Sequence, residues 1–367
     1  MSDLVTDMLA SNTAEATVAD NPTEVPTVDA NATPVAPKAR VKKIKCFRGD
    51  NSACWGYRLH TPMAELAKNH KDYVISITGV LDTRDLAGQD MVIMQRQYKA
   101  DVFYPMLKMK QNGIKLVYEI DDDLFNVPDW NPASKVFNNK TVQDNIKHFL
   151  TNIDAVFTTT ERLRDLYSKY CAKVFVLPNS IDYNIVHKPP RNSKKKVVCW
   201  QGSASHVKDI SLIEPALTRL SKDNDAFIKV WDIDIDVKDV YRMPFVPYAA
   251  FYQMFAQLDG YIGLAPLTTA PFNRGKSNLK WLEYTAYDMV TVASPVGPYA
   301  ESIEHGVTGW LVNPNNSDWY DSIRYLLDHE DVYNEILKNA KEKVAKEYNI
   351  KNNYVCWKEA IDELIGK

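Results

Sequence analysis

K-V-V-C-W-Q-G-S-A-S-H-V-K-D, Lys196 to Asp209, reads as a strand that empties into a glycine loop and then enters a helix. The β-branched and apolar run Lys196–Trp200 predicts a buried strand. Gly202 predicts a tight turn that lets the backbone come close to a ligand. A helical pattern follows over Ile210–Leu220. A strand, a loop and a helix in that order form one unit of a parallel sheet covered on both faces. Ligands of such sheets lie beyond the carboxyl ends of the strands, so the loop Gln201–Asp209 becomes a candidate binding element.

The same alternation extends in both directions. Upstream, strands are predicted at Ile44–Arg48, Tyr73–Thr78, Met91–Gln95, Lys115–Ile120, Ala155–Thr159 and Val174–Leu177, with helices at Pro62–Asn69, Ala100–Asn112, Thr141–Asn152 and Glu161–Tyr170 between them. Downstream, strands are predicted at Ala226–Trp231, Gly260–Leu264, Thr291–Ala293 and Trp310–Leu311. The intervening helices are Ala249–Leu258 and Ser317–His329, and two long helices, Asp331–Glu347 and Asn352–Ile365, end the chain. K-P-P-R-N-S-K-K-K, Lys188–Lys196, breaks the series as a linker does. The expected architecture is α/β: two doubly wound domains, 41–187 and 197–345, around an interdomain cleft, with 346–367 packing back on the first.

Composition narrows the possibilities. A chain of 367 residues exceeds one ordinary core. No run of 18 or more apolar residues is present, so no membrane insertion is expected. Residues 1–40 are rich in Ala, Thr, Pro and acids and lack apolar periodicity, which predicts a disordered acidic tail without a signal peptide. Residues 1–37 hold six acids and no Lys or Arg, so removing those acids from the net charge of −3 leaves +3. That mild basicity does not by itself indicate nucleic acid. Five scattered cysteines with no C-x-x-C pair fit a reducing cytoplasm.

P-F-N-R-G-K-S-N-L-K-W-L-E-Y, Pro271–Tyr284, carries the chemistry. Ser277 is the predicted N-cap of a helix through Leu279, Leu282 and Ala286. Lys276, Lys280 and Glu283 then share one helix face at i, i+4 and i+7. Free N–H groups and the dipole at a helix start favour a pyrophosphate, and two lysines strengthen the preference. A glutamate two turns on suits sugar hydroxyls; the alternative is a solvated, self-paired face. In the loop after Trp200, Gly202 and Ser203 suit phosphate, with His206 or Lys208 adding positive charge, although Asp209 as the cap of a plain turn reads as well.

In the first domain, C-W-G-Y-R-L-H-T-P (Cys54–Pro62) predicts a polar loop in which Gly56 turns the chain and Arg58 reaches a ligand. Y-E-I-D-D-D (Tyr118–Asp123) ends a strand in three acids, which resist burial unless they bind something. Asp121, Asp122 and Asp123 read first as groups that orient an acceptor hydroxyl or assist proton transfer, second as a capped turn and third as a D-x-D metal ligand. Phe125 and Trp130 can stack on a ring or pack into the core.

Taken together, Pro271–Tyr284, Thr291–Val312, Val174–Asp182 and Leu258–Leu267 resemble the carboxyl half of GT-B glycosyltransferases of the family-four, retaining type. Gly56–Pro62 and Tyr118–Asp123 resemble the first domain of phage and bacterial members, and the resemblance spans roughly 44–350. It implies two Rossmann-like domains and a nucleotide-diphosphate sugar, most simply a UDP-sugar, held by the second. On that resemblance Glu283 binds the ribose. Lys276, Ser277 and Asn278 hold the pyrophosphate with Ser203 and His206, and Lys280 is a further phosphate candidate. No metal or other cofactor is implied. The sequence departs from the family at Gly275, which stands where the first of two glutamates is usual, and in the loop offering His206 and Lys208 in place of a basic pair.

The reading that follows is retaining transfer of a sugar to a hydroxyl, with Asp121, Asp122 and Lys276 as catalytic candidates and Gly56, Arg58, Asp121 and Asp123 on the acceptor side. The acceptor is a hydroxymethylated pyrimidine in phage DNA, or a surface glycan or protein. A binder of nucleotide sugars or glycans without turnover is the competing class.

Overall fold

A computed structural model describes residues 40–366 apart from 192–193, 224, 232, 245 and 314–317. The expected tail, 1–40, lies outside the described residues except for Arg40. Among the described residues, twelve strands form two parallel sheets of six. The first contains β1 (Lys42–Phe47), β2 (Tyr73–Thr78), β3 (Met91–Gln95), β4 (Lys115–Glu119), β5 (Ala155–Thr158) and β6 (Val174–Val176), in the order β2-β1-β3-β4-β5-β6. The second contains β7 (Lys196–Trp200), β8 (Ala226–Trp231), β9 (Val240–Met243), β10 (Ile262–Ala265), β11 (Val290–Ala293) and β12 (Trp310–Leu311). Its order, β9-β8-β7-β10-β11-β12, is the Rossmann order.

Both sheets reverse their winding direction once, between β1 and β3 and between β7 and β10. Those are the points at which helices leave opposite faces and open a crevice. Strands β3, β5, β10 and β11 are buried along their whole length, as apolar strands covered on both faces must be. Helix Leu279–Ala286 packs on β10 through a close approach. A Cβ on Gly263 would lie 2.2 Å from the Tyr284 ring, so only glycine admits that ring.

Four local expectations need correction. Strand β9 was not expected: V-Y-R-M sits among aspartates on the sheet edge, and Tyr241 is 55% exposed, so no apolar run announces it. The segment Cys54–Pro62 is not a loop. Helix Ala53–Trp55 continues through a π turn, Gly56–His60, into helix Thr61–Asn69. Gly56 there has φ −59°, and its lack of a side chain admits the Tyr248 ring, 2.1 Å from where a Cβ would stand. The helix expected at Ile210–Leu220 is two, Val207–Ser211 and Glu214–Leu220, so Asp209 lies within a helix and is not its cap.

The last helix, Ile350–Ile365, packs against Thr61–Asn69 of the first half. Ile181 and Asn349 form a bridge where the chain crosses back. Lys42 Nζ meets Asp362 Oδ1 at 2.7 Å, and Tyr73 donates to the same carboxylate. Trp357 inserts beneath Arg58 with the guanidinium 4.8 Å from its ring.

Gly263→Ala should destabilise the chain by about 1–3 kcal/mol, because Tyr284 is held by its hydroxyl and cannot retreat. A denaturant midpoint equal to the parent would show that the ring can yield.

Candidate functional site

The carboxyl ends of both sheets border a cavity of about 360 Å³. Its second-half wall is built by β7, β10 and the segment leading into helix Leu279–Ala286. Tyr284 fixes that wall: its hydroxyl donates to Leu264 O (3.1 Å) and accepts from Gln201 N (3.0 Å). Gly202 continues the wall, and a Cβ there would stand 2.4 Å from the Trp200 ring. Ser203 and Ser205 pair their hydroxyls at 2.9 Å on the rim.

His206 is held by Asp209. The ring Nδ1 meets Asp209 Oδ2 at 2.9 Å, while Oδ1 accepts from Thr268 N (2.8 Å), Thr268 Oγ1 (3.1 Å) and Asn273 Nδ2 (2.7 Å). A carboxylate so bound accepts a proton from Nδ1 and leaves Nε2 as an acceptor, 3.5 Å from Lys280 Nζ. Burial, then the Lys280 and Lys276 ammonium groups, depress the His206 pKa to about 3. The expectation that His206 supplies positive charge is therefore corrected: the ring is neutral, and the charge on this wall comes from Lys276 and Lys280.

Lys276 and Glu283 both line the cavity. Lys276 reaches across it, with Nζ 3.7 Å from Asp122 Oδ1. Burial, reinforced by Lys276, lowers the Lys280 pKa to about 8. Glu283, 3% exposed, accepts from Gln201 Nε2 at 2.6 Å and from the Tyr57 hydroxyl of the first half at 2.9 Å. Burial raises its pKa to about 7 despite Lys280. Ser277 lines the cavity, but the N-cap of the helix is Asn278, whose side chain donates to Ser302 Oγ at 2.9 Å behind the wall. Lys208 is exposed outside the cavity.

The opposite wall belongs to β3 and β4. Arg96 follows β3 at φ +49° and pairs with Asp121 (3.8 Å) and Asp122 (3.5 Å). Burial would raise the Asp122 pKa, but Lys276 and Arg96 outweigh it and hold it below the usual carboxylate range. Asp121 Oδ1 is buried with no hydrogen-bond partner. Asp123 turns away: it accepts from Phe125 N (3.1 Å) and Asn126 Nδ2 (2.8 Å), so the capped-turn reading applies to it alone. Among the described residues no cluster of three His, Cys, Asp or Glu could hold a metal.

Arg58 does not reach the cavity. It is fully buried, donating to Glu119 Oε1 (2.6 Å), Thr158 O (3.2 Å), Asn179 Oδ1 (3.2 Å) and Leu177 O. A guanidinium this deep needs a carboxylate, and Glu119, two residues before the acidic turn, supplies it. Gly56 likewise lies behind the wall, under Tyr248. The absent first glutamate has a steric counterpart: a Cβ on Gly275 would come within 2.9 Å of Leu163, itself fully buried in the first half.

Arg96, Gln201 and Tyr57 escaped the sequence reading. Arg96 carried a usable signal, a charge at the carboxyl end of an apolar strand. Gln201 and Tyr57 carried none beyond adjacency to motifs. Trp231, Val246, Tyr248 and Phe251 form an aromatic and apolar end of the cavity, with Trp231 and Phe251 stacked at 5.4 Å.

Residues 256–343 match the family of group 1 glycosyl transferases. No curated protein matches the chain. Among solved structures, it is similar to a glycosyltransferase from Rickettsia africae at 13% identity, over 89% of this chain and 99% of that one, with a TM-score of 0.63. Sucrose-phosphate synthase from Thermosynechococcus elongatus is similar at 12% identity, over 88% and 99%, with a TM-score of 0.66. Anabaena HepE in complex with UDP-glucose is similar at 13% identity, over 88% and 99%, with a TM-score of 0.64. The fold is thus GT-B, and the carboxyl-terminal half carries a group 1 glycosyl transferase segment.

His206 should stay neutral down to pH 5 with its proton on Nδ1, as imidazole nitrogen shifts by NMR will report. A ring that titrates between pH 5 and 7 would contradict the Asp209 arrangement.

Proposed function

We propose that this chain is a glycosyltransferase that moves a sugar from a nucleoside-diphosphate sugar to a hydroxyl acceptor, with retention at the anomeric carbon. The observation that carries the reading is the convergence of Lys276, Ser277, Lys280 and Glu283 on one wall of a cavity whose other wall holds Asp121 and Asp122. The diphosphate takes Lys276 and Ser277, with Ser203 and the Gln201–Gly202 backbone at its edge. Lys280 adds charge behind it, and Glu283 accepts from the ribose. The base occupies the end formed by Trp231, Val246, Tyr248 and Phe251, and a uracil nucleotide is favoured by the likeness to a protein solved with UDP-glucose.

In the reaction the bond from the anomeric carbon to the diphosphate breaks as an oxocarbenium-like centre forms. The growing negative charge on the leaving oxygen meets Lys276, which is already in place and largely shielded from water, so its stabilisation needs little reorganisation. The acceptor hydroxyl enters from the same face, and its proton passes toward the leaving phosphate. Asp122 orients that hydroxyl once the diphosphate has taken Lys276 from it, while Arg96 keeps the carboxylate charged.

Leu124, Val127, Phe137 and Phe272 contribute apolar surface next to these acids. They suit a hydroxyl borne on a flat or apolar group, and a hydroxymethylated pyrimidine in phage DNA is one such acceptor. A surface glycan or protein is the other. The setting is the reducing cytoplasm, in keeping with five free cysteines. The first half, 41–187, serves the acceptor and the second, 197–345, the sugar nucleotide.

Lys276→Ala should lower turnover at least about tenfold, a loss of ~1.4 kcal/mol or more in the transition state. Release of UDP or GDP from UDP- and GDP-sugars measures it, and nucleoside mass spectrometry on hydroxymethylated DNA tests the acceptor. A chain that binds sugar nucleotides without ever releasing diphosphate is a binder. UDP affinity should rise as pH increases through about 7, where Glu283 loses its proton, and fall above about 8, where Lys280 loses its own. Calorimetry should find the acid limb reduced in Glu283→Gln and the alkaline limb reduced in Lys280→Gln.

A further inference from the structure

The run V-F-V-L-P-N-S-I-D, Val174–Asp182, joins the two halves and takes no part in the site as described so far. Its Asn179 is 4% exposed and stands between two groups of opposite location. On one side is Arg58, with Nη1 3.2 Å from Asn179 Oδ1. On the other is the cavity residue Ser277, with Oγ 2.9 Å from Asn179 Nδ2.

The chemistry of these groups leaves a single arrangement of protons. Arginine has only donors, so the amide must turn its oxygen toward Arg58. The amide nitrogen, which has only hydrogens to offer, then faces Ser277. Ser277 Oγ is thereby the acceptor in that bond, and its own proton must point elsewhere. Among the described residues Ser277 donates to no protein acceptor, and its open side is the cavity. Arg58 cannot rotate to undo this. Its Nε is tied to Glu119 Oε1 at 2.6 Å, Glu119 Oε2 accepts from Gln95 at 3.0 Å, and Trp357 covers the guanidinium.

We propose that Asn179 is a positioning residue whose amide, oriented by Arg58, obliges the Ser277 hydroxyl to donate into the cleft, onto an oxygen of the diphosphate. The inference rests on the reading of Ser277 as a diphosphate contact. Glu119, Arg58 and Asn179 then form a relay of fixed polarity. It begins in the core of the first half and ends on the ligand-facing surface of the second.

Polarity separates this role from simple packing. Asn179→Asp keeps the shape of the side chain but replaces the donor with an acceptor. The new carboxylate draws the Ser277 proton to itself and turns the hydroxyl away from the cleft. Asn179→Ala removes the bond and leaves the hydroxyl free to rotate.

The experiment is calorimetric titration of the full chain with UDP, with thermal melts to compare folding. Asn179→Asp and Ser277→Ala should each weaken UDP by about fivefold, as expected for one lost hydrogen bond. Asn179→Ala should weaken it less than Asn179→Asp, although aspartate is the closer isostere. In the Ser277→Ala background, Asn179→Asp should add no further loss. Independent losses in the double variant, or a greater loss for alanine than for aspartate, would reduce Asn179 to a packing residue and overturn the relay. If the parent chain binds neither UDP nor GDP, the diphosphate reading falls and the relay falls with it. If the parent binds and Ser277→Ala changes nothing, Ser277 is not a diphosphate contact and only the relay is lost.

Discussion

A charge taken out of water must find an opposite charge or a set of oriented dipoles, and in this chain that requirement is met across the cleft. Lys276 of one half pairs with Asp122 of the other. Glu283 accepts from Tyr57, Ser277 accepts from Asn179, and Gly275 O accepts from Thr160 at 3.4 Å. Neither wall is electrostatically complete alone. Burial lowers the proton affinity of Lys280, and Glu283 and Asp209 of its own half oppose that fall. A polar ligand entering here replaces interactions that already exist, so its net gain is the difference between two sets of bonds.

Much of this was legible in the sequence because parallel sheets advertise themselves. Strands such as Met91–Gln95 and Lys196–Trp200 are short apolar runs bounded by polar loops, and their bounds came out as read. Lys280 and Glu283 were legible for a similar reason, since periodicity along helix Leu279–Ala286 puts them on one side, whereas Lys276 precedes the Asn278 cap and lines the cavity from the turn before the helix. What failed depended on tertiary partners that no local period announces. Arg58 reads as a ligand-facing charge until Glu119, which is 61 residues later, claims it. His206 reads as a cation until Asp209 fixes its proton and two lysines discourage another. Gly56, at the start of the π turn, makes room for the Tyr248 ring, and no local pattern encodes that contact.

The departure at Gly275 illustrates how a packing contact can set chemistry. Leu163 of the first half occupies the space where a side chain at 275 would begin. With glycine at that position, the cavity is lined by Lys276, Lys280 and Arg96 and by Asp121 and Asp122. Asp121 and Asp122 of the first half and Glu283 of the second all line it, so its acidic groups come from both halves.

The return of the final helix also bears on how the chain is made. Leu59, Met63 and Leu66 of the first half share a core with Trp357, Ala360 and Ile361. During synthesis the amino-terminal sheet leaves the ribosome long before residues 350–365 do, so its strands can pair while one apolar flank lies uncovered. Contacts separated by some three hundred residues, such as Lys42 with Asp362, close only after that helix has emerged. A chain stopped before Ile350 would retain every cleft-lining residue named above, yet it would present a bare apolar surface to chaperones and proteases. Quality control would thus discriminate between chains with and without that helix by a surface remote from the cleft.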